Sequence, residues 1–283
     1  MTADIRKLAR SIRRNRRGPL WRPLILAIAV IGHLGLLSTS AGAVTDGVPD
    51  TQNDYPFVGL MVAQEEDGTP LWRCTGTLIS PTVFLTAGHC TYGADHVEIW
   101  FDQDVESAIP ENGYPYDGEV GGTPHTHPEY DDNAFYLHDL GIVVLDDPVS
   151  MAEYGELPQL NQLDGLSPGA GTIFTAVGYG LQKSFPDAAS WKVQDDRVRM
   201  ISRPHLVQIN RGIAGDSSLL LSNNARTGGT CFGDSGGPNF IGHTNVIAGV
   251  TSFGLNGTCG GTGGVYRIDR ADDLDWLATF GER

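Results

Sequence analysis

The chain has 283 residues, 40% of them hydrophobic and only 19% charged, which excludes an intrinsically disordered polypeptide and supplies enough apolar side chain for a real core. Its formal net charge of −15 excludes a protein that holds nucleic acid or an anionic membrane surface by electrostatics.

Residues 1–43 stand apart. Eight Lys/Arg between Arg6 and Arg22 precede an apolar run over 24–37, and Ala41-Gly42-Ala43 fits the small-x-small rule of signal peptidase. The run is shorter than the roughly 20 residues that cross a bilayer as a helix, and Gly32, His33 and Gly35 interrupt it. We therefore expect a signal peptide over 1–43, an exported chain over 44–283, and no stable membrane association after cleavage. Small residues at 38–41 offer neighbouring cleavage bonds. Removing 1–43 leaves 11 Lys/Arg against 33 Asp/Glu, a formal charge of −22.

The rest reads as short β-prone runs separated by Gly, Pro, Asn and Asp, the pattern of an all-β barrel or sandwich. Expected strands in the first half are 57–62, 71–79, 83–87, 97–101 and 140–145. The acidic stretch at 65–68 reads as a hairpin turn, and 102–117 as a solvated acidic loop without the ligand spacing of a calcium loop. Residues 146–169 are turn-rich and suit a connector. The second half offers 172–178, 197–202, 219–222, 238–241, 246–252 and 265–268. Asp269 is placed to cap a short helix over 270–279 that buries Leu274 and Leu277.

Three motifs carry chemistry. Thr86-Ala87-Gly88-His89-Cys90 supplies a histidine, His138-Asp139-Leu140-Gly141 an acid ahead of an apolar strand, and Gly233-Asp234-Ser235-Gly236-Gly237-Pro238 a serine among glycines. A serine hydroxyl needs a base within hydrogen-bond reach, and an imidazole that titrates near neutrality is the suitable type. Four cysteines, at 74, 90, 231 and 259, form an even count in an exported chain and read as two disulfides. They permit three pairings. No C-x-x-C or Cys/His cluster suggests zinc, and His125-x-His127 has no convincing further ligand, so no metal is expected.

The chain order His, Asp, Ser with these flanks resembles the chymotrypsin-like, trypsin-fold serine peptidases. The resemblance covers almost all of 44–283. It implies two six-stranded antiparallel β-barrels packed together with a short C-terminal helix. It also implies a serine endopeptidase acting through an acyl-enzyme intermediate, with His89 as base, Asp139 orienting it and Ser235 as nucleophile. The backbone N–H groups of Gly233 and Ser235 match the oxyanion hole, where losing one donor costs about 10² to 10³ in rate.

The resemblance further implies Cys74–Cys90 and Cys231–Cys259 bridges, each contributing about 3 to 3.5 kcal/mol by chain entropy. Ser252 matches the serine that bonds the triad acid, and His127-Pro128-Glu129-Tyr130 a stretch that often precedes that acid. Gly229 maps to the floor of the primary specificity pocket, Gly254 and Gly264 to its walls and Phe232 to its rim, with Phe253 on the strand that pairs with substrate. Without an acid at Gly229, the expected preference is an apolar residue. Val44-Thr45-Asp46-Gly47 resembles the activated N-terminus whose ammonium pairs with the acid before the nucleophile, here Asp234. Signal cleavage would then itself activate the enzyme. Expected partners are polypeptide substrates and a proteinaceous inhibitor, with no cofactor and a monomeric, extracellular protein. The alternative is an inert or partner-activated binding protein on the same scaffold.

Overall fold

The computed structural model describes residues 44–281, and the expected signal peptide lies outside them. The first barrel closes in the order β2 (Val58–Gln64), β3 (Pro70–Ser80), β4 (Val83–Thr86), β7 (Gly141–Leu145), β6 (Val120–Thr126) and β5 (His96–Trp100). The second runs β8 (Gly169–Gly178), β10 (His205–Arg211), β11 (Gly215–Asn223), β14 (Gly261–Arg267), β13 (Ile247–Gly254) and β12 (Pro238–Ile241), and closes through β12–β8 pairing. All these pairings are antiparallel. The short strands β1 (Val48–Pro49) and β9 (Met200–Ser202) extend the second sheet beside β8. A one-turn helix α1 (Gly88–Thr91) follows β4, and α2 (Ala271–Leu277) closes the chain. Two closed six-stranded barrels and a short terminal helix match the expected fold class.

The apolar residues of β2 to β7 fill the first barrel and continue across the seam. There Tyr55 stacks on Phe240 with ring centres 5.4 Å apart, and Phe57 meets the same ring edge-on at 6.0 Å. The second barrel encloses its own cluster of Leu163, Phe174, Leu206, Ile209, Leu219, Leu221, Ala248 and Val265.

Two buried guanidinium groups brace this framework. Arg199 donates to Asp50 at 2.9 Å and to the carbonyls of Val58 and Phe101 at 3.1 Å, so neither buried charge is left alone. Arg267 pairs with buried Asp269, whose carboxylate also accepts the Leu163 N–H at 2.8 Å. That bond fastens the segment between the barrels to the second one.

Besides the two-residue β1, two barrel strands escape the sequence pattern. β6 contains Gly121, Gly122 and Pro124, yet the barrel requires glycine there: a Cβ at Gly122 would lie 2.6 Å from Val143 Cγ1 and 2.7 Å from the Val144 carbonyl. In β10, register shifts against β11 break the two-residue alternation that would have revealed it. Asp269 does not cap α2: Arg270 occupies the N-cap position without a side-chain bond, because the Asp269 carboxylate is committed to Arg267 and Leu163. Leu277 is buried as expected, but Leu274 is only half-buried, and the acid Asp273 takes the inner position.

Candidate active site

His89 stands on α1, in the single helical turn that directly follows β4, and Asp139 stands just ahead of β7, the strand paired with β4. The approach is close enough that a Cβ at Gly141 would lie 2.5 Å from the Ala87 carbonyl. The Asp139 carboxylate is fully buried and accepts the His89 backbone N–H at 2.8 Å. Its Oδ2 faces His89 Nδ1 at 2.9 Å and accepts the Ser252 hydroxyl at 2.5 Å. An ionised carboxylate only accepts, so Nδ1 carries the donated proton and Nε2 is left as the basic edge of the ring. Burial pulls the imidazole pKa down, but the charge and hydrogen bond of Asp139 outweigh it, and the net value lies above the ordinary 6.5.

Ser235 follows buried Asp234 in a turn with Gly233 at φ +93° and Gly236 at φ +77°. A Cβ at Gly236 would fall 2.0 Å from Thr86 Oγ1 and 2.5 Å from the Thr75 carbonyl, so glycine lets the turn press against the first barrel. The Ser235 carbonyl accepts the Thr75 N–H at 2.8 Å, and the Gly236 N–H donates to Thr251 at 2.8 Å. Ser235 lines a cavity of about 420 Å³ together with Ser252, whose hydroxyl donates to Asp139. Among the described residues, no hydrogen bond joins Ser235 to His89, and the N–H groups of Gly233 and Ser235 donate to no protein acceptor.

The same cavity is walled by Phe135, Phe232, Phe253, Gly254, Leu255 and the Cys231–Cys259 bridge. Gly229 and Gly264, expected at its floor and wall, are not among the residues that line it. A Cβ at Gly229 would be 2.2 Å from the Asn223 side chain, and one at Gly264 would be 2.4 Å from the Phe253 ring. Buried Asn223 donates to the Thr230 carbonyl at 2.7 Å and accepts the Thr45 hydroxyl at 2.8 Å. Val44 is itself fully buried against Met200 and Val198, and the Thr45 carbonyl accepts the Gly229 N–H at 3.0 Å.

The Asp234 carboxylate accepts the N–H groups of Cys231 and Gly180, each at 2.8 Å. Burial pushes its pKa up to about 7, although both hydrogen bonds and the more distant Arg73 guanidinium act in the opposite direction.

A family model described as Trypsin matches residues 44–276. The chain belongs to the trypsin family. Serine protease 1 of Drosophila melanogaster is 29% identical over 240 residues, which cover 83% of this chain and 84% of that one. Brachyurin of Leptuca pugilator is 26% identical over 246 residues, covering 83% and 97%. Among solved structures, HL collagenase superposes with a TM-score of 0.65 at 20% identity, covering 84% of this chain and 99% of its own. Human heparin binding protein superposes with a TM-score of 0.61 at 20% identity, covering 83% and 95%.

In this trypsin-family chain the cysteines pair as Cys74–Cys90 and Cys231–Cys259, the pairing that the resemblance implied. The first bridge ties β3 to α1 beside His89, and the second joins the Ser235 turn to the loop before β14. Sequence reasoning overlooked Asn223, Thr75 and Phe135. The run Phe135-Tyr136-Leu137, exposed and a few residues ahead of Asp139, is a signal that could have marked the last of them.

The histidines divide as follows. His125 packs against Phe280 with ring centres 5.3 Å apart. His127, His138 and Asp273 bring ligand-type atoms within 4.8 Å of one another, a grouping that spacing along the chain could not reveal. His127 Nδ1 already accepts the Glu129 N–H at 3.2 Å, which leaves the proton of the neutral ring on Nε2. Asp273 is engaged by the Tyr266 hydroxyl at 2.9 Å.

Proposed function

We propose that this trypsin-family chain is a secreted serine endopeptidase that cuts polypeptides through an acyl-enzyme intermediate. The observation that carries the reading is the Asp139 carboxylate, which holds His89 by both its backbone N–H and its Nδ1 while Ser252 occupies the remaining direction. His89 Nε2 takes the Ser235 proton as Oγ attacks the scissile carbonyl. Gly233 and Ser235 N–H groups receive the developing oxyanion, and the protonated imidazole then serves the departing amine. Water repeats the sequence to release the acyl group.

The cavity walls of Phe232, Phe253 and Leu255 support an apolar residue on the amino side of the cut bond, and among the described residues no carboxylate lines that cavity. Signal cleavage at Ala43–Val44 would free an ammonium for Asp234, whose carboxylate, among the described residues, meets only neutral N–H donors directly. Domain boundaries of 1–43 and 44–283, export and a monomeric state belong to this same reading.

The test is the intact mass of the secreted protein before and after exposure to a serine-directed sulfonyl fluoride, with Ser235→Ala as control. A mass beginning at Val44 with one adduct that the control lacks is expected. A second reading, an inert or partner-activated scaffold, draws on the missing Ser235–His89 bond among the described residues. A correctly processed chain that takes no adduct would decide for it.

A further inference from the structure

The turn from Phe232 to Ser235 contains three consecutive peptide groups, and each is held by its carbonyl. Leu181 N–H donates to Phe232 O at 2.8 Å and Gly237 N–H donates to Asp234 O at 2.8 Å. Between them, the Thr75 hydroxyl donates to Gly233 O at 2.8 Å. These peptides are trans, so each N–H points away from its carbonyl. Holding the outer two carbonyls aims the N–H groups of Gly233 and Ser235, and holding the middle one fixes the angle between them. The outer bonds come from backbone and survive most substitutions. The middle bond depends on one side chain, supplied across the seam by the first barrel.

The direction of that bond is settled by its neighbours. Tyr179 N–H donates to Thr75 Oγ1 at 3.1 Å. A backbone N–H can only donate and a carbonyl can only accept, so the single hydroxyl proton lies on the Gly233 side. Thr75 is itself rigidly held: its N–H donates to Ser235 O at 2.8 Å, its carbonyl accepts the Thr86 hydroxyl at 2.9 Å, and it is fully buried. No solvent reaches it to replace a lost hydroxyl.

We infer that Thr75 is a positioning residue for the oxyanion donors, acting through the Gly233–Asp234 peptide; this rests on the peptidase reading of the Ser235 turn. Thr75→Val keeps the β-branched shape and removes the hydroxyl, whereas Thr75→Ser keeps the hydroxyl. Both are assayed against wild type on an apolar peptide anilide, with rates divided by the titre of sulfonyl fluoride-reactive sites. Affinity for a peptide aldehyde, whose adduct places an oxygen against the same donors, is measured alongside.

For Thr75→Val, kcat should fall about 10-fold to 100-fold with KM within about twofold, and aldehyde affinity should fall by a similar factor. Thr75→Ser should stay within about threefold of wild type. Should the valine variant not accumulate folded, Thr75→Ala removes the same hydroxyl without a methyl against Gly233 and is read in its place. An active wild type whose hydroxyl-free variant keeps full kcat and aldehyde affinity overturns this inference alone. So does equal impairment of Thr75→Ser. A processed wild type with neither turnover nor labelling overturns the peptidase reading and this inference together.

Discussion

The hydroxyl of Ser252 lies 2.5 Å from Asp139 Oδ2, the oxygen that also faces His89 Nδ1 at 2.9 Å, so one buried atom serves a residue from each barrel. Ser252→Ala leaves that oxygen one donor short in a site with little access to water. Hydrogen bonds to charged groups are worth about 1.5 to 3 kcal/mol, and unfolding measurements should show a loss in that range. Misorientation of the imidazole by about 1.4 kcal/mol is a tenfold loss in kcat. Unchanged stability and unchanged kcat would remove Ser252 from the network.

The same pair sets the pH dependence. Although burial lowers the imidazole pKa, Asp139 raises it further, so the net value lies above 6.5 and the base becomes available only as pH climbs past it. Activity should rise with pH through a midpoint alkaline of 6.5. The stabilisation that the charged pair gives the fold has the opposite sense. It is complete below about 6.5 and is lost as pH rises through the folded-state value. Asp139→Asn should abolish the raised midpoint, as read by NMR titration of the His89 ring, and reduce kcat by about 10⁴.

Asp234 makes a separate prediction about processing. A carboxyl whose pKa is about 7 when folded and 3.8 when unfolded binds its proton more tightly in the native state. Stability is therefore unaffected below pH 3.8, falls between about 4 and 7, and stays lower by about 4 kcal/mol at higher pH. An ammonium freed at Val44 would offset this cost. The chain beginning at Val44 should melt higher than the uncleaved chain at pH 8, with the gap closing near pH 4 and disappearing in Asp234→Asn. Superimposable melting profiles across this range would refute the role of Val44.

Pocket selectivity should resist the obvious redesign. Gly229→Asp would place its Cβ 2.2 Å from Asn223, which is held by Thr45 and Thr230. The single variant should lose stability by about 1 to 3 kcal/mol from overpacking and gain no useful cleavage after arginine. Steady-state assays on matched arginyl and phenylalanyl substrates would check this. Efficient arginyl cleavage would show that the Asn223 side chain yields.

The candidate site was legible because each side chain proposed to react sits in its own short motif: His89 among Ala87, Gly88 and Cys90, and Ser235 among glycines. The β-prone runs that mark β2, β3 and β13 are near-continuously buried, as strands packed on both faces are. What could not be read depends on meetings between distant positions. Thr75 and Gly233 are 158 residues apart, and Thr45 and Asn223 are 178 apart. Nothing near Asn223 in the sequence says that its amide stands under Gly229. Asp269 shows the converse error, for its helix-capping position is genuine locally but Arg267 and the Leu163 N–H claim its carboxylate.

That Asp269–Leu163 bond limits how the polypeptide can be rewired. The crossing between barrels is secured by the last residues before α2, so segments at opposite ends of the second half share one anchor. New termini opened at Leu163 would detach that anchor, whereas termini opened near exposed Trp191 would leave it whole. Circular permutation should therefore succeed in the Trp191 loop and fail at the crossing, although the crossing is the boundary that barrel count alone would recommend.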